Sequence, residues 1–322
     1  VSLAELPRHE QFAERFLHDQ EIADALRQDW GVEPAEIVSL LTGEPTNPAD
    51  KVLQSLLSGP IDVDKMDYLM RDSLHAGVPY GRNFDQARLI QSLCLNREGD
   101  GLAITDKGKT AAEMMVFARY VMFSEVYWHH AVRSATAMLQ RAFVMLSGSL
   151  EHQQLFTLTE RPMIEQLLDA SGQGPARELL DGLFGRTRRL YKRVAQYSLF
   201  QEAHLYDALA RRPYPWLVRC AENFADIAST ALGQRIAPHE VLFDAPPVKL
   251  EVQFQIDVHF AKENVYRPLG EISPVVKTLA QQQFDDYVKR VRILAPGRIA
   301  GDLAALDKLP DLVAQAVKTT EC

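Results

Sequence analysis

The spacing of apolar and polar positions predicts a chain that is mainly helical. Before residue 60, apolar residues recur at helical spacing in three segments, and they predict helices over His9–Asp29, Pro34–Leu41 and Pro48–Leu57. Asn47 and Pro48 stand where an N-cap and a first-turn proline begin the third helix. This part of the chain therefore predicts short helices joined by short turns.

The segment Ile61–Gly81 predicts the central helix, and Gly77, followed by Val78 and Pro79, is expected to end it. At about 100° per residue, four polar side chains fall within a sector about 100° wide: Asp64, Lys65, Tyr68 and Asp72. Apolar side chains gather in a different sector and are expected to face the core: Val63, Met66, Met70 and Leu74. Two carboxylates, a phenol and an ammonium on one face are poor core material, so this face predicts a ligand site or, alternatively, a solvated helix face with ion pairs four residues apart.

Two longer segments downstream also show helical spacing. Lys107–Leu146 predicts one long helix, in which Arg119, Phe123, Tyr127 and His130 share a second polar face. Further helices are predicted to Leu232, and one of them runs through a basic run, which we define as residues 186–193. This basic run predicts a solvated helix face or, alternatively, a contact for an effector nucleotide or another subunit.

The β patterns are short. Ser92–Asn96 and Leu102–Thr105 flank a glycine-rich turn and predict a hairpin. Strict alternation predicts a strand over Leu250–Val258. A helix capped by Ser273 and running to about Phe284 is expected after it, followed by a strand over Tyr287–Leu294. The fold class predicted is mainly α, with a helical core carrying a small β-hairpin, followed by a small α+β C-terminal domain.

A composition change at residues 244–247, Asp-Ala-Pro-Pro, predicts the domain boundary. The expected domains are residues 1–243, the helical core, and residues 248–322, the α+β domain. No internal repeat is visible in the sequence.

Charge and composition limit the possible partners. The 322-residue chain has a net charge of −8, which argues against an extended nucleic-acid surface or an anionic-membrane surface. No apolar run approaches about 18 residues, so no membrane span is expected. Three widely separated cysteines favour neither a disulfide framework nor a zinc site, and they predict a reducing, cytoplasmic location.

The motif I-D-V-D-K-M-D-Y-L-M-R-D, from Ile61, and A-R-Y-V-M-F-S-E-V-Y-W-H-H-A-V-R, from Ala118, together resemble the dNTP triphosphohydrolase branch of the HD-domain phosphohydrolases. The tripeptide His9-Glu10-Gln11 is similar to a third family segment. The resemblance is strong over about residues 1–145 and weak after Phe200. It implies an HD-type helical core and a metal-dependent nucleotide phosphohydrolase that assembles as a homo-oligomer.

The resemblance also implies roles for individual residues. Asp64 is similar to a carboxylate ligand of a divalent metal, which could be Mn, Fe, Mg or Zn. Lys65 and Arg119 resemble triphosphate contacts. Three other positions are similar to residues that meet the nucleoside: Tyr68 and Asp72, which face the deoxyribose, and Tyr127, which packs against the sugar. His9 resembles the histidine that protonates or orients the departing 5′ oxygen.

The family's His and His-Asp metal ligands are absent from the sequence. They are expected upstream of the position of His9, so either the HD segment precedes this chain or the metal site has been lost. His18-Asp19 is a His-Asp dipeptide, but on one continuous helix His18 would point about 180° from His9. We therefore do not assign it as a ligand pair, and the activity of this chain alone depends on ligands that it does not contain.

The predicted reaction is hydrolysis of a deoxynucleoside triphosphate to deoxynucleoside and triphosphate. One alternative is an HD phosphohydrolase that acts on another phosphoester, such as a nucleoside monophosphate or a cyclic nucleotide. A second alternative is a nucleotide-binding regulatory protein that lacks the metal site.

Overall fold

The computed structural model describes residues 9–42, 47–247, 255–279 and 288–321. Its described residues form two compact units. The first unit takes in residues up to Met122 and those between Val252 and Gln282, and the second takes in Phe123–Glu251 and the residues from Gln283 onward. Each unit is described by itself below.

The first unit is mostly helical. Its helices before the central one are α1 (His9–Leu17), α2 (Gln20–Ala25), α3 (Pro34–Thr42) and α4 (Pro48–Ser58). Later in the unit come α5 (Val63–His75), α6 (Gln86–Gln91), α7 (Lys109–Met122), and two helices of the C-terminal segment that are named below. Asn47 caps α4 by accepting a hydrogen bond from the Asp50 N–H at 2.9 Å. The predicted start of this helix is confirmed.

The predicted single helix over His9–Asp29 is wrong. α1 ends at Leu17, and the Asp19 side chain then accepts a hydrogen bond from the Glu21 N–H at 3.2 Å, which caps α2. A π-helical turn, Leu26–Trp30, follows α2 and ends at Gly31, whose φ is +65°. The interruption arises because an Asx cap competes locally with continued helix.

A four-stranded sheet completes the first unit. Its strands are β1 (Leu93–Leu95), β2 (Leu102–Thr105), β5 (Asp257–Phe260) and β6 (Val265–Pro268), in the order β1-β2-β5-β6. β1 and β2 form the predicted antiparallel hairpin, in which Cys94 opposes Ala103. β2 runs parallel to β5, and Ile104 opposes Val258, with both side chains buried.

The C-terminal segment contains the predicted elements in part. The strand predicted over Leu250–Val258 falls mostly outside the described residues, and its last positions lie in β5. Two short helices follow β6: α14 (Leu269–Ile272) and α15 (Pro274–Thr278), and Ser273 caps α15 as expected. The rest of the predicted helix also lies outside the described part of the chain.

The second unit contains an extensive hydrophobic core. Its helices are α8 (His130–Leu146), α9 (His152–Leu155), α10 (Glu160–Ser171), α11 (Pro175–Phe184), α12 (Ala203–Leu209), α13 (Tyr214–Leu232), α16 (Gly297–Ala304) and α17 (Leu309–Glu321). A three-stranded antiparallel sheet has the order β3-β7-β4, formed by β3 (Lys192–Tyr197), β4 (Leu242–Asp244) and β7 (Val291–Ala295). α13 packs against β4 and α17, and Phe224 is fully buried in that core.

Two helix predictions in this region are wrong. The segment predicted as one helix over Lys107–Leu146 is divided into α7, a π-helical turn over Phe123–Tyr127, and α8, which is capped at His129. The basic run is not helical: α11 ends before Gly185, and Lys192 and Arg193 begin β3. Hydrogen bonds to β7 make Lys192–Tyr197 a strand. The paired residues are about 100 positions apart in the sequence, and local residue spacing cannot reveal such a pairing.

The fold is mainly α with small β elements, as predicted. Strands from the C-terminal segment pair with β2 in one sheet and with β3 in the other, and both of these strands lie before residue 243. The division into residues 1–243 and 248–322 stays a prediction. Within the described ranges, none of the helices has the length and apolar character needed to cross a bilayer.

Candidate functional site

The central helix α5 begins at a buried carboxylate. The residue Asp62 is 3% exposed, and its side chain accepts a hydrogen bond from the Lys65 N–H at 2.8 Å, so Asp62 is the N-cap of α5. The Lys65 ammonium forms an ion pair with the same carboxylate and donates to the Gly59 carbonyl oxygen at 2.9 Å. The start of α5 is thus fixed by the backbone and the side chain of Lys65 together.

The far end of α5 packs against the turn that follows it. Ser73 is buried, and its hydroxyl donates to the Val78 carbonyl oxygen and accepts from the Gly81 N–H. Gly77, with φ +68°, ends the helix as predicted. The turn over Tyr80–Arg82 therefore contacts α5 at its last two turns.

The buried face of α5 differs from the predicted one. Met66, Leu69 and Ser73 are buried, whereas Val63 is 51% exposed and Leu74 is 62% exposed. The buried stripe is rotated by about 70° from the apolar sector of the helical wheel. Its direction is set by packing against α7 and the Tyr80–Arg82 turn, which the wheel does not contain.

The four polar residues predicted to share a face of α5 do lie on one unbroken helix. Asp64 is exposed, and Lys65, Tyr68 and Asp72 are half-buried. Half-burial suits side chains that contact a ligand, because they are held by neighbours while one edge stays accessible. Their individual roles stay predictions.

Asp64 lines a cavity of about 610 Å³ within the first unit. The polar wall of this cavity comes from α4 and includes Lys51, Gln54 and Ser55, and its apolar wall includes Leu40 of α3. A cavity of this size matches ordinary small-molecule sites. The predicted metal ligand is thus placed at the edge of a space that can hold a ligand.

Arg119 and Tyr127 belong to different units of the fold. Arg119 is buried on α7, which packs against α5 within the first unit. Tyr127 lies in the second unit, at the end of the π-helical turn, and its ring meets the Phe123 ring edge-on at 5.1 Å. The predicted helix does not continue unbroken to His130, because the π-helical turn and the break at His129 interrupt it. The polar face that Arg119 was predicted to share with residues of the second unit stays a prediction.

The described residues do not by themselves form a metal centre. His9 begins α1, but its side chain lies outside the described part of the chain. Where side chains are described, no group of three or more His, Cys, Asp and Glu residues is placed to hold a metal ion. One carboxylate from Asp64 is too few ligands for tight binding of a transition metal. The argument against His18-Asp19 as metal ligands assumed one continuous helix from His9. That helix is interrupted after Leu17, so the angular argument does not apply.

A cationic cluster lies in the second unit. Burial, followed by the charges of His129, Arg193, Arg292 and Lys192, lowers the pKa of His130. Separately, the basic run borders a cavity of about 570 Å³, to which Arg188 and Lys192 contribute. The alternative interpretation of the basic run, an effector-nucleotide or subunit contact, stays a prediction.

Asp62 was not singled out by the sequence pattern, although it lies in the central motif. The available signal was an Asp immediately before an amphipathic helix, three residues before a lysine. That pattern predicts a cap, but the burial of the carboxylate and its ion pair with Lys65 depend on the fold.

Comparison with known proteins places this chain among HD-domain proteins. A family described as an HD associated region matches residues 84–296. An uncharacterised protein of Bacillus subtilis is 31% identical over 156 residues, which cover 48% of this chain and 34% of that protein. Deoxynucleoside triphosphate triphosphohydrolase SAMHD1 of Danio rerio is 27% identical over 156 residues, which cover 42% of this chain and 24% of that protein. The chain spans about a third of the length of the first curated relatives that it matches.

A solved structure has a similar fold. A hypothetical protein from Aquifex aeolicus superposes with a TM-score of 0.63 at 22% identity, covering 90% of this chain and 69% of the other. This likeness concerns the fold alone.

Proposed function

The chain belongs to the HD superfamily, and from that membership we propose that it is part of a metal-dependent nucleotide phosphohydrolase that converts a deoxynucleoside triphosphate to deoxynucleoside and triphosphate. The observation that carries the proposal is the polar face of α5, with Asp64 at the cavity and the buried Arg119 on the neighbouring helix α7.

The side chains on these two helices suit the parts of a nucleoside triphosphate. An arginine guanidinium binds two phosphate oxygens at once, and a lysine ammonium acts as a point charge, so Arg119 and Lys65 are proposed to neutralise the triphosphate. Asp72 can accept a hydrogen bond from a sugar hydroxyl, and the Tyr68 ring can pack against the sugar. In the second unit, Tyr127 is proposed as a further sugar contact.

Asp64 is proposed as one ligand of a divalent metal, and His9 as the residue that assists departure of the 5′ oxygen. The metal proposal requires further ligands beyond the described side chains, because one carboxylate does not hold a transition metal tightly. The proposal thus makes Asp64 necessary for activity without making it sufficient.

The named relative supports the substrate class. The Danio rerio protein is named a deoxynucleoside triphosphate triphosphohydrolase, and its similarity supports the same reaction for this chain. We further propose a homo-oligomer in the cytoplasm. That location is supported by the free thiols of Cys94 and Cys220.

The proposal is tested with the whole protein as encoded by its gene. It is incubated with each of the four dNTPs and Mn²⁺ or Mg²⁺, and released triphosphate is measured for the parent, Asp64→Ala and a matched control, Asp67→Ala. Asp67 lies on the same helix, but its carboxylate is exposed and paired with Arg71 at 2.6 Å.

We expect triphosphate from the parent and from Asp67→Ala, and a loss of at least about 100-fold with Asp64→Ala. Parallel incubations contain a nucleoside monophosphate or a cyclic nucleotide. Release of phosphate from the monophosphate or opening of the cyclic nucleotide, without triphosphate release from any dNTP, would support the other phosphohydrolase class. Binding of a dNTP without cleavage would overturn the enzyme proposal in favour of a regulatory nucleotide-binding protein.

A further inference from the structure

The buried carboxylate of Asp62 engages Lys65 twice. One oxygen accepts the Lys65 backbone N–H at 2.8 Å, and the other forms the ion pair with the Lys65 ammonium. The Asp62 side chain is 4% exposed and the Lys65 side chain 19%. A carboxylate needed only as a helix cap could remain at the surface, as Asp85 does at the start of α6.

We propose that Asp62 is a positioning residue that fixes the Lys65 ammonium for the phosphate chain of the substrate. This inference rests on the proposed function, since it assigns a partner to a residue of the proposed site. Asp62 itself is not proposed to contact the substrate.

The donors of the ammonium support this role. Lys65 has three N–H donors at its ammonium. Among the described residues, the Gly59 carbonyl oxygen and the Asp62 carboxylate accept from two of these donors, which leaves the third for a phosphate oxygen. A lysine held in one rotamer has lost its side-chain freedom before the substrate arrives, so less entropy is lost on binding.

The pair of Asp67 and Arg71 provides a contrast on the same helix. Its side chains are 61% and 58% exposed, and it is an ordinary i, i+4 surface pair. Asp67→Asn is therefore a matched control for Asp62→Asn, because both remove one negative charge from an ion pair at α5. Asparagine is a good N-cap, so Asp62→Asn keeps the cap while removing the ion pair.

The first test is a double-mutant cycle on triphosphate release by the whole protein, using Asp62→Asn, Lys65→Met and the double variant. We expect each single variant to lose about 10-fold to 100-fold in kcat/KM. The double variant should be no less active than the less active of the two single variants. Asp67→Asn should behave as the parent. Parent-like activity of Asp62→Asn, or losses that multiply in the double variant, would overturn the proposal.

A second test does not depend on turnover. Limited acetylation with acetic anhydride, read by mass spectrometry, reports how freely each lysine reacts, and Lys318, an exposed lysine of the second unit, serves as an internal reference. In Asp62→Asn, Lys65 should react several-fold faster, while Lys318 reacts as in the parent. In Asp67→Asn, Lys65 should also react as in the parent. Added inorganic triphosphate should protect Lys65 in the parent and protect it less in Asp62→Asn.

The two readouts separate the possible failures. If the parent releases no triphosphate but the labelling pattern is as expected, the proposed reaction fails and the positioning role stands. If Lys65 labelling is the same in the parent and in Asp62→Asn, or if triphosphate protects both equally, the positioning role is refuted even when the enzyme is active.

Discussion

The close packing of Gly81 against α5 gives a prediction with a magnitude. A Cβ added at Gly81 would lie 1.9 Å from the Leu69 carbonyl oxygen, 2.7 Å from the Leu69 carbonyl carbon and 3.0 Å from the Ser73 Cβ. A carbon–oxygen contact of about 3.3 Å is near the shortest that folded proteins accept. Gly81→Ala therefore forces the Tyr80–Arg82 turn and α5 apart by about 1.4 Å.

The cost of this separation follows from two terms. Overpacking in a well-packed site costs about 1–3 kcal/mol, and loss of the hydrogen bond from the Gly81 N–H to Ser73 costs about 1 kcal/mol more. We expect the free energy of unfolding to fall by about 2–4 kcal/mol. The matched control is Gly148→Ala, because nothing lies within 4 Å of an added Cβ there.

The assay is urea unfolding followed by far-UV circular dichroism. With slopes of about 1–3 kcal/mol per molar urea, the midpoint for Gly81→Ala should fall by about 0.7 M or more, while Gly148→Ala stays within about 0.2 M of the parent. Equal midpoints for the parent and Gly81→Ala would refute the packing argument. We also expect reduced triphosphate release, since the displaced turn packs on the end of α5 that carries Asp72.

Three further predictions concern buried groups of the second unit. Asp244→Ala should lower the free energy of unfolding by about 3–5 kcal/mol in the same urea assay. The substitution removes the carboxylate that accepts from Arg133 at 3.0 Å and lies 4.0 Å from Arg292. A decrease below about 1 kcal/mol would contradict this prediction. Burial raises the pKa of Cys220 to about 11, so at pH 8 Ellman's reagent should modify Cys220 only after unfolding, and rapid modification of the native protein would contradict this. Burial also raises the pKa of Tyr214 to about 12. The neutral phenol therefore contributes stability that is full below the unfolded pKa of about 10 and is lost as the pH rises to about 12. In alkaline unfolding curves, the stability of Tyr214→Phe should decline less steeply with pH than that of the parent.

The sequence by itself determined the local structure at positions where a residue caps a helix or sets the conformation of a turn. Asn47 caps α4, Gly77 ends α5, and the hairpin follows its glycine-rich turn, because capping and turn geometry depend on neighbours in the chain. The same locality placed the polar residues of the candidate site on one face of α5. Helical periodicity fixes their angles without any knowledge of the rest of the fold.

Tertiary structure decided which residues face a partner. The buried stripe of α5 is rotated from the apolar sector because the stripe follows α7 and the Tyr80–Arg82 turn, and β3 replaces a predicted helix because a distant strand pairs with it. Asp62 can position Lys65 only when α5 is packed and the Asp62 carboxylate is buried beside the Lys65 ammonium. The sequence therefore predicts which side chains can carry the chemistry, whereas packing between distant segments decides how they are buried and paired.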